Sequence, residues 1–281
     1  MIGSYRAEML KLIKWPAMWV LGAVLLVLAQ VFGYLIPYVA YRGGGSGFAA
    51  GQTAAQLLAE VLPSRLVPNT LSGFPLFAGA IALVIGALSV GSDYGWKTLK
   101  TILSQRPRRS AVLGGKLLAI VTVVLLIVVG AFALNAFWSW LIATTENRSA
   151  DWPSALDMMR GIGAGWLILG AWSVVGAFLS VVFRSTPLAI GLGLVWALAV
   201  ENLIRGFAGV LGFLDAFQQG MPGTNAGSLV ASLGAATLDQ PGGTPGVTDV
   251  VSGPQAAVVL GTFVVVLALF GGFALRRQDV Q

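Results

Sequence analysis

The sequence predicts an all-α integral membrane protein. It should have six transmembrane helices, an N-terminal amphipathic elbow helix, a short cytoplasmic helix between spans 2 and 3, and a candidate re-entrant outer hairpin before span 6. Three observations predict it. Only 10% of the 281 residues are charged and 57% are hydrophobic, against about 25% charged in soluble domains. Six stretches without a charged side chain are long enough, or nearly so, to cross about 30 Å of hydrocarbon at 1.5 Å per residue. The basic residues gather in alternate connections, as inside-positive topology requires. A mean hydropathy of +0.84 agrees.

Residues 1–15 read as an interfacial elbow. At about 100° per residue, Ile2, Tyr5, Met9, Leu12 and Ile13 share one stripe, and Arg6, Glu8, Lys11 and Lys14 share the opposite half. Trp15 sits where a membrane-interface aromatic belongs, and Pro16 lets the chain turn into the bilayer. The apolar run that follows is about twice a signal-peptide core, so it reads as an anchor rather than a cleaved leader.

The spans fall near residues 16–38, 70–91, 113–142, 161–183, 187–204 and 255–275. The fifth is interrupted by Glu201 and closed by Arg205, and the sixth stops at Arg276 and Arg277. An even number of spans puts both termini on one side. If that side is cytoplasmic, the inner segments hold 12 of the 17 basic residues. The net charge of +6 then reflects topology rather than nucleic-acid binding.

The outer connections are unequal. Residues 39–72 contain the tract Gly43-Gly44-Gly45-Ser46-Gly47 and a short helix expected over Ala49–Leu62. The largest excursion is 206–254. Its first part is too short to span and too apolar to float, which suits a re-entrant or interfacial hairpin. The Gly/Pro/Thr-rich remainder suits a flexible loop.

Cysteine and histidine are both absent. This removes disulfides, thiolate metal sites, the usual zinc ligands and the usual nucleophile–base pairs. Gly114-Gly115-Lys116-Leu117 lacks the first Gly and the Ser/Thr of a phosphate-binding loop. Gly161-x-Gly163-x-Gly165 lacks the strand and spacing of a dinucleotide site, and suits close helix approach instead.

Attention therefore falls on the segment Ser92–Ser110, with Lys97, Lys100, Arg106, Arg108 and Arg109 against the single acid Asp93. Asp93 is placed to cap a short helix. Leu99, Ile102 and Leu103 would lie on the membrane or on a partner, and Pro107 would end the helix. A solvated inside-positive loop is the plainer alternative.

The order Asp93, Gly95-Trp96-Lys97-Thr98, Lys100, Ile102-Leu103-Ser104, Arg106, Arg109, then Lys116 entering the third span, resembles one family. So does the opening Glu8-x-x-Lys11-x-x-Lys14 before Trp15-Pro16. This is the permease subunit of ATP-binding-cassette (ABC) exporters of the type-two membrane family. The six-span layout extends the resemblance over most of the chain, with 206–254 unusually long and Gly-rich.

The resemblance implies a bacterial-type plasma-membrane protein with both termini cytoplasmic, pairing with a second permease protomer as homo- or heterodimer. Asp93, Gly95, Lys97, Thr98, Lys100, Leu103, Arg106 and Arg109 would form a coupling helix above a separate ABC ATPase subunit. That partner would bind ATP and Mg. The permease would hold no cofactor or metal, perform no covalent chemistry and carry an amphiphilic substrate such as a drug, antibiotic, peptide or lipid.

Polar groups inside the spans are the candidates for a translocation path or gate: Gln30, Asn135, Glu201 and Asn202, with Trp172 and Trp196 as aromatic lining. Each has a plainer role. Asn135 suits interhelical hydrogen bonding, the tryptophans suit packing, and Arg205, four residues on, suits a local pair with Glu201. The rival functional classes are an ion-coupled secondary transporter or channel, and an intramembrane enzyme. The first wants ionisable groups near the midplane and the second a buried nucleophile with its base.

Overall fold

A computed structural model describes residues 2–43, 52–96, 98, 109–208 and 210–277, with backbone only at 109 and 110. The described residues are helical and contain no strand. In order they form α1 (Ile2–Lys14), α2 (Pro16–Arg42), α3 (Ala54–Val61), α4 (Pro63–Gly95), α5 (Arg109–Thr145) and α6 (Ala155–Phe183). There follow α7 (Thr186–Ala208), α8 (Gly212–Gln218), α9 (Pro222–Ser232) and α10 (Gly253–Arg277). The helices α2, α4, α5, α6, α7 and α10 are each long and apolar enough to cross a membrane. The chain is a multi-pass membrane protein. The end of the bundle that carries α1 is called its inner end below.

Burial separates these helices into two roles. In α4 and α6, 61% of the apolar window is buried, against 17%, 22% and 17% in α2, α7 and α10. The first two form the core, and the other three turn their apolar faces outward. Glycine explains how α4 and α6 approach. A Cβ on Gly86 would collide with the backbone of Ser173, and one on Gly176 with the Leu83 carbonyl. The helices therefore touch backbone to backbone, as small residues permit in membranes. The Ser180 hydroxyl donates to the Ala87 carbonyl at 2.9 Å and ties the contact. The expected glycine approach in α6 also appears at Gly161, beside Val67 and Phe132, and at Gly165, beside Phe74 and Leu71; Gly163 faces open space.

Proline shapes the two π-helical turns of α2 and α4. Pro37 has no N–H to offer the carbonyl four residues back, at Gly33, and the π turn Val31–Leu35 surrounds that position. The Asn69 side-chain amide of α4 supplies the missing donor at 3.0 Å. Pro75 lies within the second π turn, Phe74–Ala78. A third, Val195–Val200 in α7, contains no proline.

The outer excursion departs from the flexible loop expected of its second part. Its first part forms the end of α7 and the short α8, which leave Phe213 and Val210 exposed. The remainder is not a loose loop. Every residue from Pro222 to Val230 in α9 is buried, because its Gly, Ser, Thr and Ala side chains let it sink between α10, α4 and α6. The following coil is pinned onto it: the Val250 and Val251 amides donate to the Ser228 hydroxyl at 3.2 and 3.3 Å. Gly246, at φ +96°, lets the coil cross Leu76 and Pro75 of α4. A composition that suggests flexibility by frequency serves close packing here. On the same side, α3 starts at Thr53 with a capping box to Gln56. The expected Ala49–Gly51 portion of that helix lies outside the described residues.

Candidate functional site

The inner end holds a four-charge clasp. Glu8 and Lys11 stand three apart on α1, Ser89 and Asp93 four apart on α4, and Lys116 enters from α5. The Lys116 ammonium donates to Glu8 Oε2 at 2.6 Å and lies 2.5 Å from Asp93 Oδ2. Lys11 reaches Glu8 Oε1 at 2.9 Å, Asp93 Oδ1 at 3.0 Å and the Ser89 carbonyl at 2.9 Å. The Ser89 hydroxyl donates to Glu8 Oε1 at 3.2 Å. Two acids and two bases close a neutral ring whose side chains are 7% (Glu8), 3% (Asp93), 5% (Lys116) and 21% (Lys11) exposed. Such burial is tolerable only when every charge is paired and hydrogen-bonded.

The surrounding sequence positions the ring. Gly115 lets α1 lie directly on α5, where a Cβ would meet Ser4 and the Tyr5 amide. Leu12, Met18, Ile85 and Ala119 form an apolar floor beneath, and Trp15 packs on Trp96 with ring centroids 5.0 Å apart.

The expected coupling residues divide accordingly. The short helix that Asp93 is expected to cap lies outside the described residues, apart from Thr98. Asp93 itself lies in the last turns of α4, 2% exposed, and its carboxylate turns to the two lysines, which neutralise it there. The Thr98 hydroxyl reaches it at 3.5 Å, and Gly95 ends α4 in an exposed position. Lys97, Lys100, Leu103 and Arg106 lie outside the described residues. Arg109 opens α5 with its side chain also outside them. Gly114-Gly115-Lys116 is helix interior, not a phosphate-cradling loop.

Between the clasp and the outer end, α2 and α5 share a polar seam. The Gln30 amide donates to Asn135 Oδ1 at 2.6 Å, and Asn135 donates to the Thr70 hydroxyl at 2.8 Å. The Tyr34 and Ser139 hydroxyls pair at 2.9 Å. At the outer rim Glu146 accepts from Tyr38 at 2.8 Å and Tyr41 at 3.0 Å, and Arg42 sits 2.5 Å away. The Tyr38 hydrogen bond, more than the Arg42 charge, holds the Glu146 carboxyl below the usual glutamate range. The sequence reading missed this knot. Its signal was the i, i+3, i+4 spacing of Tyr38, Tyr41 and Arg42 ending one span, with a lone acid ending another.

Glu201 forms the outer counterpart of the clasp. It is 1% exposed. Its Oε1 accepts from the Trp196 indole N–H at 3.0 Å. Its Oε2 lies against Gly223 in the first turn of α9, so closely that no Cβ would fit. That turn has no side-chain cap, so a carboxylate there faces the positive end of the helix. The expected Glu201–Arg205 pair is absent among the described salt bridges. Arg205 donates instead to Asn202 Oδ1 at 3.2 Å, because α9 gives Glu201 a better electrostatic partner on its other side. Asn202 donates to its own helix at Leu198. Trp196 thus orients Glu201. Trp172 lies in the core, where a Cβ on Gly79 would strike its ring.

Among the described residues, no group of three or more acidic side chains could hold a metal ion. No curated protein matches the chain significantly. The model of one family, described as a protein of unknown function (DUF2705), matches residues 23–238, from within α2 to just beyond α9. With more than half of its length matched, the chain, a multi-pass membrane protein, belongs to the DUF2705 family.

Proposed function

We propose that this chain is the membrane-spanning permease subunit of an ATP-driven exporter, coupled through residues 92–110 to a separate ABC ATPase. The observation that carries the reading is the inner clasp. It joins α1 to both helices from which the basic segment hangs, α4 and α5. A partner pressing on that segment would move three helices as one body, and α4 would carry α6 with it through their backbone contact. An isolated inside-positive loop needs no such buried, fully paired anchor. The exporter would sit in a bacterial-type plasma membrane with both termini cytoplasmic and a second protomer beside it. The ATPase partner would bind ATP and Mg, and the substrate would be amphiphilic.

The charge distribution also weighs against an ion-coupled carrier. Among the described residues, the buried ionisable side chains Glu8, Asp93, Lys116 and Glu201 lie toward the two ends of the bundle. Coupled carriers place such groups at the midplane.

The test is purification of the tagged chain from its native membrane in mild detergent, with identification of what accompanies it. A stoichiometric ATPase bearing a phosphate-binding loop, lost when Lys97, Lys100 and Arg106 are reversed in charge, is the expected result. A folded chain that reproducibly comes alone, or transports on a proton gradient without ATP, would overturn the reading.

A further inference from the structure

Away from both sites, a cleft of about 90 Å³ opens on the outer half of the molecule between α2, α3 and α4. Phe32 and Pro37 of α2 form one wall, Glu60 of α3 and Arg65 of α4 supply charge, and Asn69 forms the floor. The coil after α9 closes the far side at Gly242, whose φ of +77° lets the backbone pass against Glu60 and the Gln52 amide.

The two charges are held apart. Glu60 accepts from Gln52 Nε2 at 2.5 Å and forms no salt bridge with Arg65. Arg65 is exposed, and among the described residues no hydrogen bond or ion pair engages its side chain. Yet they are near enough for Arg65 to oppose the upward shift that burial imposes on the Glu60 carboxyl. A free guanidinium offers paired donors suited to a phosphate, and a partly buried carboxylate suits an ammonium.

Size and position narrow the ligand. The volume holds several water molecules, at about 10–15 Å³ each, and is far below a drug-sized pocket of about 300 Å³ or more. The cleft is not closed toward lipid. Phe32 is 60% exposed and stacks on Phe77, itself 52% exposed, with centroids 6.5 Å apart. The Asn69 amide donates to both the Gly33 carbonyl, at 3.0 Å, and the Glu60 carbonyl, at 3.1 Å, so Glu60 stands at the level of Phe32, whose exposed ring continues the cleft onto the lipid-facing side.

We propose that this cleft binds a zwitterionic headgroup with a primary ammonium on Glu60 and a phosphate on Arg65, its tail resting on Phe32 and Phe77. The same headgroup chemistry could come from an aminophospholipid or from a soluble phosphoethanolamine-like molecule. A choline head would fit less well, because it has no N–H to donate. The site is independent of the exporter reading.

The experiment is native mass spectrometry of the full chain, delipidated in detergent and titrated with phosphatidylethanolamine, phosphatidylcholine or phosphatidylglycerol. Soluble phosphoethanolamine is tested as competitor. Phosphatidylethanolamine should be retained preferentially, and Glu60→Gln and Arg65→Gln should each weaken retention about fivefold, the worth of one charge near a membrane surface. Arg160→Gln, which removes an exposed outer charge elsewhere, should leave retention unchanged and serves as the control for non-specific attraction. Competition by soluble phosphoethanolamine assigns the site to the headgroup alone, and its failure assigns it to lipid. Three results would overturn the proposal: equal retention of all three lipids, preference for phosphatidylglycerol dependent on Arg65 only, or binding indifferent to both variants in protein that elutes and melts like wild type.

Discussion

Replacing Lys116 by methionine tests the closed ring at the inner end. Methionine keeps most of the volume and removes the charge, so the change isolates electrostatics from packing. Lys116 is the most buried cation of the ring and touches both carboxylates, at 2.6 and 2.5 Å. Without it Glu8 and Asp93 share one ammonium, Lys11, and ring charge goes from neutral to −1. Removing one partner of a buried pair costs about 3–5 kcal/mol. Because Lys11 still bonds both acids, at 2.9 and 3.0 Å, the lower end of that range, about 3 kcal/mol, is expected.

Lys11→Met provides the comparison. Its ammonium is 21% exposed against 5% for Lys116, and solvent screens what it contributes, so a loss of about 1 kcal/mol is expected. The assay is equilibrium unfolding in mixed micelles followed by tryptophan fluorescence, with Trp15 and Trp96 in contact beside the ring as local reporters. A double-mutant cycle between Lys116 and Asp93 then separates pairing from general destabilisation. Equal losses for the two lysine variants, or a loss under about 1 kcal/mol for Lys116→Met, would refute a closed and buried ring.

Three further outcomes follow from the geometry. Gly223→Ala should stabilise a helix by propensity, yet beside Glu201 it should overpack and cost about 1–3 kcal/mol. Because the chain has no native cysteine, a Ser228→Cys probe can report α9 lifting through faster labelling by a membrane-impermeant maleimide; unchanged labelling in Gly223→Ala or Glu201→Gln would refute the outer seal. At the rim, Glu146 is held below its ordinary value of 4.5. The stability it contributes is complete above that value and is lost as pH falls through the lower folded value. Spin-label distances between the outer ends of α2 and α5 should widen only below about pH 4.5, and an Arg42→Gln, Tyr38→Phe background should abolish the step. Finally, Gly176→Ala should be destabilising by about 1–3 kcal/mol because the Leu83 backbone cannot yield, whereas Gly170→Ala, which faces open space, should gain up to about 1 kcal/mol. Equal effects on melting would refute backbone contact between α4 and α6.

Much of this architecture was legible because one signal dominates in lipid. A charge-free run of span length has few other places to go, so the six helices followed from where Lys14, Arg42, Asp93, Lys116 and Arg184 stand. The pairing of charges was not legible. Periodicity put Glu8 and Lys11 on the polar half of α1, which suggests water, whereas the structure turns them onto α4 and α5. A single sequence gives the angle of a side chain around its own helix and nothing about which neighbour meets it. Glu201 illustrates the same limit. Arg205 lies on its face four residues on, yet its partner is a helix more than twenty residues away. Composition misled at α9, because Gly, Ser and Thr mark both a loop in water and a helix that must pack closely. Proline was more informative than its position suggested: Pro37 removes a donor from Gly33, and the vacancy calls for a polar group such as Asn69 on a neighbouring span.

The placement of irregular backbone bears on how the two ends would communicate in the proposed exporter. From Gly79 to Gly95 α4 is regular and in close contact with α6, ending at Asp93 in the clasp. Its π turn, Phe74–Ala78, lies at the level where Gly246 and α9 rest on Pro75 and Leu76. The stiff part of α4 therefore joins the inner charge ring to the underside of the outer seal, and the deformable part sits at the contact with α9. Mid-helix irregularity absorbs displacement more readily than a regular turn. An inner push carried by α4 would be transmitted without loss as far as Gly79 and then divided between bending the π turn and lifting α9. In the proposed exporter Glu201 would set that division, since lifting would have to break the contact of its carboxylate with the first turn of α9. Weakening the grip at Glu201 should favour lifting of α9, whereas breaking the ring at Lys116 should remove the push itself, so the two variants separate transmission from release.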